Sequence, residues 1–99
     1  MSEKQNEVVR AHVWVRGRVQ GVGFRAHVEY CARQVSVTGW VRNVGYDEVE
    51  AVVEGKREQV ERFIELTKQG PRGARVEESR VEWEDVIGEF SGFGVRRSM

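Results

Sequence analysis

Val9, Ala11, Val13 and Val15 alternate with Arg10, His12 and Trp14. A period of two puts the valines and alanine on one face, so this run predicts a half-buried strand. Phe24, Val28, Cys31 and Val35 then fall at i, i+4, i+7 and i+11. That stripe predicts a helix from about Phe24 to Gln34. Alternation returns over Val37–Asn43, pauses at the turn Val44-Gly45-Tyr46-Asp47, and resumes over Glu48–Glu54. These segments read as a hairpin. Val60, Phe63, Ile64 and Thr67 share one face of a second helix, stopped by Gly70-Pro71. Arg75–Val86 alternates poorly at first and better through Val81 and Trp83, and Phe93 with Val95 predicts a short last strand.

The order strand, helix, strand, strand, helix, strand predicts an α+β fold, a ferredoxin-like βαββαβ sandwich with a possible short fifth strand. Both helices cover one face of an antiparallel sheet. The first and second strands run parallel, separated by the third, so they end at the same edge. Along the second strand Val37, Gly39, Val41 and Asn43 share a face. With the valines in the core, Asn43 points to the helix side, beside the loop that follows the first strand.

That loop carries the most chemistry. Gly17-Arg18-Val19-Gln20-Gly21-Val22-Gly23-Phe24-Arg25 joins a strand to a helix start. Its backbone N–H groups converge on one small volume, and the helix adds partial positive charge there. Arg25 brings a full charge and a planar fork of donors. The combination suits a tetrahedral oxyanion such as phosphate. Gly21-Val22-Gly23-Phe24-Arg25-Ala26 also fits a loose dinucleotide-loop pattern, but the chain is short for such a domain and Asn43 stands where a ribose would need an acid. The Lys-Ser/Thr pair of a nucleotide-triphosphate loop is missing.

Composition narrows the class. Lys plus Arg equal Asp plus Glu at 16 each, a balance that argues against a general nucleic-acid binder. The chain has 99 residues, read as a flexible polar tail over 1–7 and one domain over 8–99. One cysteine, Cys31, excludes an internal disulfide framework and fits a reducing cytoplasm. No apolar run is long enough for a membrane span.

The sequence resembles the acylphosphatase family. Gly17–Arg25 is similar to its phosphate-loop signature, and Gly39-Trp40-Val41-Arg42-Asn43 followed by Val49-Glu50 to its second signature. Glu54-Gly55 and Gly70-Pro71 also sit where that family has them, and the likeness runs from Val9 to Arg97. The resemblance implies hydrolysis of the carboxyl–phosphate anhydride of acyl phosphates, with inorganic phosphate as product and inhibitor. It implies Arg25 and Asn43 as catalytic residues, the arginine on phosphate and the asparagine on the attacking water. It implies a phosphate cradle of the backbone amides of Gln20, Gly21, Val22, Gly23, Phe24 and Arg25. No metal, cofactor, nucleic acid or membrane is expected, and the expected state is a monomer. One departure stands out: the family commonly has Asp-Gly in the turn after the asparagine, where this chain has Tyr46-Asp47 and places its glycine earlier, at Gly45. The alternative reading is a non-catalytic phosphate- or carbamoyl-phosphate-binding module.

The remaining polar and aromatic residues take ordinary roles. His12 and His27 lack metal-ligand partners at suitable spacing, and Cys31 belongs to the helix core stripe. Gln20 is expected to hold the loop's shape and Arg18 to be solvated. Trp14 and Trp40 share the outer sheet face, where covering the sheet is their expected task. An RNA-recognition module would need aromatics on the third strand, which instead carries three glutamates, Glu48, Glu50 and Glu54.

Overall fold

In the computed structural model, which describes residues 3–98 and side chains from residue 5, the two stripes form the expected helices. After a helical turn α1 (Glu3–Asn6) come β1 (Val8–Arg18), α2 (Phe24–Gln34), β2 (Thr38–Val44) and β3 (Glu48–Lys56). Then follow α3 (Arg57–Gln69), β4 (Arg75–Glu84) and β5 (Phe93–Val95). The helical turn lies within the segment read as a loose tail, and the Arg57 N–H donates to the Glu7 carbonyl at 2.8 Å.

The sheet order is β4-β1-β3-β2-β5. β3 pairs antiparallel with both β1 and β2, so those two run parallel with β3 between them. The short fifth strand is real, and it pairs parallel to β2, which makes the sheet mixed instead of wholly antiparallel. Its direction follows from the connection. The chain leaves β4 at one edge and reaches the other by crossing the outer face, where Glu54 accepts the N–H groups of Ile87 and Gly88 at 3.0 and 3.1 Å.

Both helices lie on the opposite face. α2 buries Phe24, Val28, Cys31 and Ala32, and α3 buries Val60, Phe63, Ile64 and Thr67. Beneath them runs a cross-strand row Val81, Val13, Ala51, Val41 and Val95, one residue per strand. Phe93 packs on Phe63 with ring centroids 5.7 Å apart.

The weak alternation of β4 has a physical cause. Val76 and Val81 are five residues apart, so a regular strand would point them to opposite faces. The β1–β4 register shifts between Arg16 and Gly17, where Arg16 faces Glu78 but Gly17 faces Val76. The extra residue, Glu77, forms a bulge that restores both valines to the core.

On the outer face His12 stacks on Trp14 at 3.8 Å and meets Trp40 edge-on at 6.4 Å. Arg80 lies over Trp14, and Arg42 and Arg96 over Trp40. The two tryptophans thus cover the sheet with His12 between them. Where they end, β1 and β2 deliver the glycine loop and Asn43 to the same edge.

Candidate active site

The loop between β1 and α2 is held from below. Val19 is fully buried, and half-buried Val22 packs on the core beside Gly73. Between and after these anchors, Gly21 and Gly23 have φ of 74° and 76°. Only glycine enters that left-handed region without strain. Nothing of the described protein lies within 4 Å of where a Cβ would stand on either one, so the backbone here faces open space.

Gly23 is also the cap residue of α2. It offers no side chain to the first helical N–H groups, and the first turn contains no acid. A typical helix start satisfies those donors with Ser, Thr, Asp or Asn. Here they are left for a partner from outside, with the helix dipole behind them. Arg25, the second residue of α2, is half-buried, and among the described residues no ion pair involves it.

Asn43 reaches the same place from β2. It pairs with Val49 in the ladder, and strand parity turns it to the helix side, as Val41 is turned into the core. Its Oδ1 is buried and accepts no hydrogen bond among the described groups. An amide oxygen removed from water and left unpaired costs about 1–3 kcal/mol, so it calls for a donor.

A cleft of about 320 Å³ brings these groups together. Gln20, Gly21, Gly23, Phe24, Arg25 and Asn43 line it, while Val22, of which the cradle asks only the backbone N–H, packs its side chain on the core. Gln20 points its amide away from the loop, to carbonyls of the β2–β3 hairpin. Val19 and Ala26, flanking the expected residues along the chain, also line the cleft, as do Glu29 and Val95, which lie farther off. Glu29 stands one helical turn beyond Arg25 and pairs with Arg33 at 3.3 Å. The i, i+4 spacing from Arg25 was the available signal for it. Val95 comes from β5, whose parallel pairing with β2 no local pattern announces.

The turn that departs from the family pattern finds its left-handed residue early. Gly45 has φ 59°, so the glycine does at that position what a later glycine would do in an Asp-Gly turn. Below the cleft, His27 Nε2 lies 3.5 Å from Cys31 Sγ, and burial pushes the Cys31 thiol above its ordinary pKa, which keeps it an unreactive core group.

Fold and site together define a ferredoxin-like α+β protein whose strand–helix loop and uncapped helix start open onto one cleft. Comparison with known proteins agrees with that description. The sequence model of the acylphosphatase family matches residues 11–95. The acylphosphatase of a Roseiflexus species is 48% identical over 89 residues, covering 90% of this chain and 96% of its own. That of Pyrobaculum islandicum is 50% identical over 90 residues, covering 90% and 95%. The solved acylphosphatase of Coxiella burnetii superposes with a TM-score of 0.85 at 36% identity, over 97% of this chain and all of that one. The chain belongs to the acylphosphatase family, whose members are hydrolases.

Proposed function

We propose that the protein hydrolyses acyl phosphates to carboxylate and inorganic phosphate by direct attack of water, with residues 8–99 as the acting unit. The observation that carries this reading is the buried, unpartnered Oδ1 of Asn43 on the same cleft as the uncapped start of α2. An anion-binding loop alone needs only donors. An orphan acceptor beside it is suited to a neutral molecule that donates, and water is the one the chemistry requires.

The reaction asks little of the protein. The leaving carboxylate is the base of an acid with a pKa of about 4, so no general acid is needed to expel it. What remains is to hold the phosphoryl group, stabilise the charge on its equatorial oxygens and place a water in line. Loop N–H groups from Gln20 to Arg25 and the Arg25 fork take the first two tasks. Asn43 takes the third: Oδ1 accepts from water, and Nδ2 is a donor. The water oxygen forms a bond to phosphorus while the phosphorus–carboxylate oxygen bond breaks, its electron pair leaving on the carboxylate. The water's proton passes to a non-bridging phosphoryl oxygen. No step calls for a metal or cofactor.

The test is release of carboxylate from a synthetic aryl acyl phosphate in the presence of a chelator. Turnover above the spontaneous rate, lost in Asn43→Ala, is the expected result. Tight phosphate binding with no turnover would support the non-catalytic module instead.

A further inference from the structure

β1 and β2 are not neighbours in the sheet, because β3 lies between them. The phosphate loop, which follows β1, and Asn43, near the end of β2, are therefore joined by no direct ladder and, within the sheet, are linked only through β3, whose Glu48 faces both Arg16 and Val44. One side chain spans that gap. The Gln20 Nε2 lies 3.0 Å from the Glu48 carbonyl, 3.1 Å from that of Gly45 and 3.3 Å from that of Val44. Three carbonyl oxygens accept only from a donor, so the amide's orientation is settled by its surroundings. Its two hydrogens serve three acceptors, one of them shared. Val44 directly follows Asn43, Gly45 is the left-handed residue of the turn, and Glu48 opens β3. A second tie runs alongside, from the Gly17 N–H to the Asp47 carbonyl at 2.9 Å.

We infer that Gln20 is a positioning residue. Its side chain fixes the distance between the phosphoryl group held by the loop and the water held by Asn43, without touching either. The inference rests on the acyl phosphate reading above. It differs from the role first expected of the Gln20 side chain, which was to hold the loop's own shape, since its donors face the hairpin. In-line attack is steep in distance, and a misplacement of about 1 Å costs up to about 10²-fold in rate. Binding of phosphate, which involves the loop alone, has no such dependence on the hairpin.

Gln20→Met keeps the length of the side chain and removes its donors. It is compared with wild type, Asn43→Ala and the double variant, all in the full chain, by steady-state turnover of an aryl acyl phosphate and by titration with inorganic phosphate. Gln20→Met is expected to lower kcat between about 10- and 100-fold, while the phosphate dissociation constant stays within about threefold. In the Asn43→Ala background the same substitution should change kcat less than about twofold, because the group it positions is gone. A full loss in both backgrounds, or a matching loss of phosphate affinity, would overturn the proposal. If Gln20→Met does not fold, Gln20→Glu decides. Its carboxylate offers the three carbonyls no donor, but its protonated form does, so kcat relative to wild type should rise as pH falls. A flat ratio would overturn the proposal. A wild-type chain that binds phosphate without any turnover would remove the underlying reading, and the positioning role with it. Turnover that survives Asn43→Ala would remove the role of Asn43, and so the group through which Gln20 is held to act.

Discussion

Arg10 donates to Glu54 at 3.0 Å on the outer face of the sheet, with side chains only 10% and 5% exposed. Burial disfavours the Glu54 charge, yet the Ile87 and Gly88 N–H groups and the Arg10 guanidinium outweigh it and hold the carboxyl below its ordinary value. Glu50 is likewise lowered, against burial, by Arg42 and His12, and Glu84 by Arg10 and His12. Depressed carboxyl pKa values contribute stability above the unfolded value, and that stability is lost as pH falls through the folded ones. Urea midpoints should therefore hold down to about pH 5 and fall progressively below it. Glu54→Gln should show a shallower fall. An acid slope identical to wild type would exclude Glu54 as a source.

Breaking the same pair should be costly at neutral pH. Glu54→Ala takes the most buried carboxylate from Arg10, which keeps Glu84 at 2.9 Å, and leaves two backbone donors of the β4–β5 connection without their acceptor. A loss of about 3 kcal/mol is expected, the scale for removing one partner of a buried ion pair. Equilibrium unfolding at pH 7 reads it, and a loss below about 1 kcal/mol would class the pair with ordinary surface bridges.

Arg25 should matter to both binding and rate. Arg25→Ala is expected to weaken phosphate binding and lower turnover by at least about 10²-fold. Arg25→Lys should restore little, because an ammonium does not reproduce two parallel donors. Near-normal turnover in the lysine variant would mean that charge alone is used.

Asn43 should separate the two. Asn43→Ala is expected to lower kcat by about 10²-fold or more, with phosphate affinity within a few-fold and the unfolding midpoint little changed. A collapse of affinity alongside turnover would make Asn43 part of the anion cradle.

Inorganic phosphate and sulfate should compete with the acyl phosphate, since the product occupies the place of the substrate's phosphoryl group. Exhaustive chelation should leave the rate unchanged, because a carboxylate leaves without a Lewis acid. Non-competitive inhibition would place the anion elsewhere. Activity lost to a chelator and restored by a divalent cation would require a different mechanism.

Much of this architecture is legible in the sequence because its signals are local. The α2 stripe from Phe24 marks the helix where the structure has it, and parity alone turns Asn43 toward the loop. What is not legible is non-local. β4 hides its alternation behind a bulge whose cause is pairing with Arg16 and Gly17. The parallel placement of β5, and with it Val95 in the cleft, depends on a connection pinned by Glu54. The reach of Gln20 to carbonyls 24 to 28 positions away has no signature in spacing.

The sheet order also sets a timetable. β3 separates β1 from β2 in space but follows both along the chain, ending at Lys56. While the chain is being made, the loop and Asn43 are complete before the strand that brings them to a common edge exists. Neither helix start nor strand end can be assembled into a working pair by local folding alone. The site comes into being only with the non-local pairings of β3, the class of contact that forms slowly. A nascent or partly unfolded chain lacking β3 from the sheet thus holds all seven residues first nominated for the cleft and no means of catalysis.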